Sequence, residues 1–246
     1  MTEFTVNSEI IIKENIFELY ENLSFRISEL VNNSGNDFYL ALSGGETPRL
    51  FFRYLAENYK SKIEWNKIKF FWVDERCVPP HDPESNYRMT KENLLSLIPV
   101  KEKNIFRIEG ENDPSEEAFR YSRLLADNVP SSNKYPRFDL ILLGLGDDGH
   151  TASIFPDNIG LINDKRFCAV SGHPVTHQKR ITLTGSVINN AKNIFFHVTG
   201  TKKKDIVKSI LLNEAGTENF PASHINPPDG YLYWFLDGSA GRLLSI

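Results

Sequence analysis

Four short stretches of this chain carry side chains able to move a proton or hold an anion. In Gly144-Leu145-Gly146-Asp147-Asp148-Gly149-His150, a glycine-rich turn follows the apolar run Phe138–Leu143 and delivers two carboxylates and a histidine to one point. Histidine is the side chain that titrates near neutrality without help. Asp148 and His150 stand two apart, so a turned backbone can aim both into one cleft. There an imidazole takes a proton from water and returns it to a leaving oxygen, while the carboxylate fixes its tautomer. Asp-x-His is also a metal-ligand spacing, but no histidine pair completes such a site, because Pro174 separates His173 from His177. The bland alternative is a helix cap by Asp148 beside a structural histidine; the chemistry is favoured.

The second stretch, Ser43-Gly44-Gly45-Glu46-Thr47-Pro48, joins an apolar strand to a helix. Glycines let backbone approach a ligand, and a helix amino end offers unpaired N–H groups and a positive dipole end. Ser43 and Thr47 add hydroxyls. A phosphate cradle and a plain tight turn fit this pattern equally, and the lysine of a Walker loop is absent. The third, Asp74-Glu75-Arg76, also follows a strand and would face the same cleft, although such triplets are commonly surface charge. The fourth is a pair of cations: Arg180, opening the strand Arg180–Thr184, and the run Lys202-Lys203-Lys204 at a helix start, where the macrodipole disfavours positive charge. His81, His197 and His224 are assigned to structure or surface.

Residues 144–149 also satisfy the G-x-G-x-x-G spacing of a dinucleotide site. Pro156 follows too soon for a long helix, and no acidic residue ends a clear second strand at the required distance, so the cofactor reading ranks below the catalytic one.

These groups need elements to hold them. Ile16, Leu19, Tyr20, Leu23, Ile27, Leu30 and Val31 predict an amphipathic helix over 14–32. A strand at 38–42 leads to a helix with Thr47 as N-cap and Pro48 as its first residue, burying Leu50, Phe51, Tyr54 and Leu55. A strand at 68–73, a loop at 79–85, a helical stretch at 86–97 and a helix at 114–128 come next. Strands follow at 138–143, 167–170, 180–184, 193–198 and 231–236, with a helix at 201–212 and a breaker-rich loop at 213–230. Strands alternating with helices imply an α/β fold: a largely parallel sheet with helices on both faces, in one domain over 1–246.

The 246 residues are 40% hydrophobic and 24% charged, ordinary for a globular chain with a real core. A net charge of −4 argues against a general nucleic-acid binder, so any positive partner of an anion must be local. No apolar run is long enough to span a bilayer, and Met1–Glu9 lacks a signal-peptide pattern. Cys77 and Cys168 lie far apart and read as free thiols. A cytoplasmic location is expected.

Together, and in this order, the segments resemble the 6-phosphogluconolactonase family, and more distantly the glucosamine-6-phosphate deaminases/isomerases. The matching pieces are Leu42–Pro48, Trp72–Pro79 with Ser85-Asn86, Gly144–Pro156, Arg180–Thr184, Gly200–Lys203, Pro221–Ser223 and Trp234–Asp237. The resemblance implies a modified Rossmann-like fold with no metal, nucleotide or other cofactor. It implies hydrolysis of 6-phospho-D-glucono-1,5-lactone to 6-phosphogluconate, the second step of the oxidative pentose phosphate pathway. The partner is a small phosphorylated sugar lactone, without nucleic acid or membrane, and the chain is expected as a monomer or small homo-oligomer. On this reading His150 is the base and Asp148 orients it. Asp74 and Arg76 position the sugar or stabilise charge; Ser43, Gly44, Gly45 and Thr47, with Arg180 and Lys203, hold the phosphate. The deaminases/isomerases carry a glutamate just before the proline of the Asp-Gly-His block, where this chain has Phe155. Asn226 stands where a basic residue is often expected. A deaminase/isomerase and a non-catalytic sugar-phosphate binder are the alternatives.

Overall fold

The computed structural model describes residues 7–244. In chain order its elements are β1 (Ser8–Lys13), α1 (Ile16–Asn32), β2 (Phe38–Leu42), α2 (Glu46–Tyr59), β3 (Ile68–Trp72), β4 (Asp74–Arg76), α3 (Asn86–Thr90) and α4 (Pro114–Asn128). They continue with β5 (Ser131–Ser132), β6 (Tyr135–Pro136), β7 (Leu140–Leu143), β8 (Cys168–Gly172), β9 (Lys179–Leu183), α5 (Gly185–Ile188), β10 (Asn193–Val198), α6 (Lys204–Leu211) and β11 (Tyr231–Asp237).

Six strands form one parallel sheet in the order β1-β11-β10-β7-β2-β3. All four residues of β7 are buried, as are Phe195 and Phe196, neighbours that point to opposite faces of β10. Both faces of the sheet are therefore covered, which is why its central strands read as unbroken apolar runs. Tyr20 of α1 and Phe51 of α2 pack on one face, their rings 5.5 and 5.2 Å from that of His197. On the other, Phe196 and Trp234 stack at 4.0 Å. Among the described residues no helix is long and apolar enough to cross a membrane, and both cysteines are free.

The expected strands and helices are present, with five differences. A first strand, β1, precedes the amphipathic helix and closes one sheet edge; its isoleucines adjoin one another rather than alternate. The helix after β2 begins at Glu46, with Gly45 at φ 110° as its cap residue, so Thr47 sits inside the first turn and is not the cap. Leu50 is 43% exposed, and Phe52 takes the buried place. The stretch after Ser85 is helical only to Thr90, then widens, with Ser96 N–H reaching the Lys91 carbonyl. The strands near 168 and 180 do not join the parallel sheet: β8 and β9 form an antiparallel sheet with β4, in the order β4-β9-β8.

His197 is 4% exposed, its Nε2 has no hydrogen-bond partner, and burial pulls its pKa from 6.5 to about 3. A histidine whose folded pKa is depressed contributes stability above its unfolded value, lost as pH falls from about 6.5 toward 3. Urea unfolding should show about 2 kcal/mol less stability at pH 5 than at pH 7 from this group. That difference should vanish in His197→Phe; an equal pH slope in both proteins would assign it elsewhere.

Candidate active site

Strands β2 and β7 are neighbours, but the chain leaves β2 toward β3 on one side and β7 toward β10 on the other. Ligands in open α/β sheets bind outside the carboxyl ends of strands at such a switch point. A cleft of about 400 Å³ lies there. Its wall includes Ser43–Pro48 after β2, Gly144–Asp147 and His150 after β7, Val198, Thr199 and Lys203 after β10, and Asp74, Arg76 and Arg180 from the small sheet.

The turn after β7 makes no helix. Gly146 N–H donates to the His150 carbonyl at 2.8 Å, closing a loop that folds the imidazole back over the glycine. His150 Nδ1 lies 2.5 Å from Asp148 Oδ1, which also accepts the His150 backbone N–H at 3.1 Å. An ionised carboxylate only accepts, so Nδ1 carries the hydrogen, and in the neutral ring that leaves the lone pair on Nε2. Burial alone would raise the Asp148 carboxyl; its hydrogen bonds to the ring and backbone of His150 hold it below its ordinary value. Gly146 is required here, because a Cβ at this position would run into His150 Nδ1 and Asp148 Oδ1. Phe155, 1% exposed, lies with its ring 4.6 Å from the imidazole.

The Asp74-Glu75-Arg76 triplet is not a surface cluster: Asp74 is 5% and Glu75 2% exposed. Asp74 Oδ2 accepts from Ser153 Oγ at 2.7 Å and Oδ1 from Asn86 Nδ2 at 3.3 Å. Glu75 points the other way and gathers the N–H groups of Arg76, Asn86 and Tyr87 at 2.7–2.8 Å and the Ser85 hydroxyl at 3.0 Å. Burial pushes its carboxyl up to about 7 against the pull of those donors. This anchor ties the loop before α3 to β4 and brings Asn86 over Gly44, where any Cβ would overlap the Asn86 carboxamide.

Arg76 and Arg180 are directly opposed across the β4–β9 ladder. Like charges in that register repel. Burial, and then the Arg76 charge, pull Arg180 below its ordinary pKa. Arg76 donates to the Glu84 carbonyl at 2.5 Å and Arg180 to Ser153 Oγ at 3.5 Å, but the buried Nε of each has no partner. The Arg180 guanidinium also stands 5.6 Å over the Phe155 ring. Two guanidiniums lining one cleft suit an oxyanion.

The amino end of α2 also faces the cleft. Among the described residues nothing accepts from the N–H of Gly44, Gly45, Glu46 or Thr47. The two hydroxyls of the turn have partners within the protein. Ser43 Oγ donates to the Leu142 carbonyl at 2.8 Å, locking β2 to β7, and Thr47 Oγ1 pairs with Thr199 Oγ1 at 3.2 Å. The donors of this turn left without an acceptor among the described residues are backbone N–H groups. Lys203 Nζ reaches into the cleft and meets Asp147 Oδ1 at 2.5 Å.

Ser43, Gly44, Gly45, Thr47, Asp74, Arg76, His150, Arg180 and Lys203 all come together on this one wall, with Asp148 behind the imidazole. Sequence reasoning gave no role to Ser153, Asn86 or Glu75, which fix Asp74 and Arg76; their place inside the matching motifs was the available signal. Asn226 is not part of the cleft wall, and its N–H donates to Asn189 Oδ1. Among the described residues no group of three or more His, Cys, Asp or Glu could hold a metal ion.

Residues 13–234 match the family of glucosamine-6-phosphate isomerases/6-phosphogluconolactonase. The chain is 45% identical to 6-phosphogluconolactonase of Treponema pallidum over 172 residues, covering 70% of this chain and 71% of that one. It is 41% identical to the Haemophilus influenzae 6-phosphogluconolactonase, covering 84% and 87%. The solved structure of 6-phosphogluconolactonase from Trypanosoma brucei superposes with a TM-score of 0.83 at 29% identity, covering 97% and 99%.

The close approach at Gly146 is open to test. In wild type, the His150 Nδ1 proton should give a downfield NMR resonance from its bond to Asp148. Gly146→Ala should abolish that resonance while the circular dichroism spectrum stays native; an unchanged resonance would show that the turn accommodates the methyl group.

Proposed function

The chain belongs to the glucosamine-6-phosphate isomerase/6-phosphogluconolactonase family, and from that premise we propose that it hydrolyses 6-phospho-D-glucono-1,5-lactone to 6-phosphogluconate, in the oxidative pentose phosphate pathway. The observation that carries this reading is the His150–Asp148 pair, whose free Nε2 serves as a base on the cleft that also holds Arg76, Arg180 and Lys203.

The phosphate binds at the Gly44–Thr47 amides, with Arg180 gripping two oxygens and Lys203 adding a point charge. That fixes the lactone carbonyl near His150. Nε2 takes a proton from water as the water oxygen bonds to C1, giving a tetrahedral oxyanion. Collapse breaks the bond between C1 and the ring oxygen, which receives the proton from the imidazolium; the new carboxylic acid then ionises. Asp148 holds the tautomer and stabilises the imidazolium. Asp74 and Arg76 position the sugar or stabilise the developing charge. The deaminase/isomerase alternative needs a carboxylate at position 155, where this chain has a buried phenyl ring. The substrate is a small phosphorylated lactone, and the location is cytoplasmic.

Acid release from freshly prepared lactone, with and without protein, tests the activity directly; a rate equal to the spontaneous one would end the proposal. His150→Ala should lower kcat about 10²–10⁴-fold with phosphate binding retained. Arg180→Ala should chiefly raise KM and weaken the preference for phosphorylated over unphosphorylated lactone. Unchanged discrimination would remove Arg180 from the phosphate site.

A further inference from the structure

We propose that Asp147 is a built-in competitor for Lys203, which limits how tightly the cleft holds phosphate and so speeds departure of the more anionic product. The inference rests on the lactonase reading above.

Of the three cations on the cleft wall, only Lys203 is ion-paired among the described residues, and its partner comes from the turn that carries His150. The two side chains differ in freedom: Lys203 is 21% exposed, whereas Asp147 is 74% exposed. The lysine is held in the cleft, and the aspartate can swing off it into water. A phosphate arriving at Lys203 meets a carboxylate already there and must displace or share it. The wall's formal charge balances, with Arg76, Arg180 and Lys203 against Glu46, Asp74 and Asp147. Glu46 is paired outward with Arg49, and Asp74 is locked by Ser153 and Asn86. Asp147 is the carboxylate of the three that contacts a cleft cation.

The reaction explains why such a competitor helps. Hydrolysis leaves the phosphate in place and adds a carboxylate, so the product carries one more negative charge than the substrate. A site with two guanidiniums that have no acidic partner among the described residues therefore retains product more strongly than substrate. A carboxylate that reclaims Lys203 as the phosphate loosens favours release, at the cost of a higher KM for the substrate, which carries the same phosphate.

A simple positioning role for Asp147 predicts the opposite sign, since loss of the carboxylate would then free the lysine and weaken binding. The test is Asp147→Asn, with Asp147→Ser as a second variant. Inorganic phosphate and 6-phosphogluconate are titrated calorimetrically at fixed ionic strength, in wild-type and Lys203→Met backgrounds. Removing an exposed ionic competitor should tighten both ligands about three- to tenfold and lower KM without raising kcat. In the Lys203→Met background the tightening should largely disappear. Unchanged or weaker binding, equal tightening without the lysine, or no measurable phosphate binding in any of the proteins overturns the proposal. Because these titrations need no turnover, failure of wild type to hydrolyse the lactone would sink the lactonase reading and leave the Asp147 comparison readable.

Discussion

Val73, between β3 and β4, links the two sheets, and the arrangement of the cleft follows from it. Its N–H donates to Leu42 in the parallel sheet, and its carbonyl accepts from Leu183 in the antiparallel one. A buried backbone must place every donor and acceptor. When β2 ends at the glycine turn, the strand beside it has no further parallel partner and turns to β9 instead. Three residues on, the same chain has carried Asp74 and Arg76 to the carboxyl edge of the parallel sheet. Without that change of partner, the two guanidiniums and the imidazole would lie on separate surfaces.

The site concentrates unfavourable electrostatics and relieves them locally. Arg76 and Arg180 oppose each other in register, and Asp74 and Glu75 are adjacent buried carboxylates. Each acid is satisfied by hydrogen bonds from the protein, whereas each guanidinium keeps an unused donor. Acids satisfied by the protein leave the two guanidiniums without an acidic partner among the described residues, which suits the pocket to an anion. Phe155 contributes by its faces, lying against the imidazole and beneath the Arg180 guanidinium. A carboxylate there would neutralise that cation and compete with Asp148.

Most of the architecture is legible in sequence because its signals are strong. Leu140–Leu143 and Ile194–Phe196 are short apolar runs of the kind a doubly covered strand shows, and the Gly144–His150 turn marks where the chain must bend. What is not legible depends on long-range pairing. Nothing local in Lys179–Leu183 distinguishes a strand of the parallel sheet from one pairing antiparallel with β4. The start of α2 was misplaced because Thr47 and Pro48 obey capping statistics, while Gly45, at a φ closed to most side chains, admits the helix two residues earlier. The hydroxyl of Ser43 was legible as a residue type but not as a clasp, since its acceptor, Leu142, lies 99 positions away. Burial of Glu75 likewise depends on donors from residues 85–87.

That last carboxylate has a consequence for how the loop before α3 can vary. Three of its four donors are main-chain amides, which every residue except proline supplies. The clamp is therefore blind to most side chains it fastens. Between the two roots it pins, the loop is held by other bonds, among them Arg88 donating to the His81 carbonyl and Glu84 N–H donating to Asp82 Oδ1. The acid itself has no such latitude: one carboxylate, hidden from solvent, fastens both ends of a peripheral excursion.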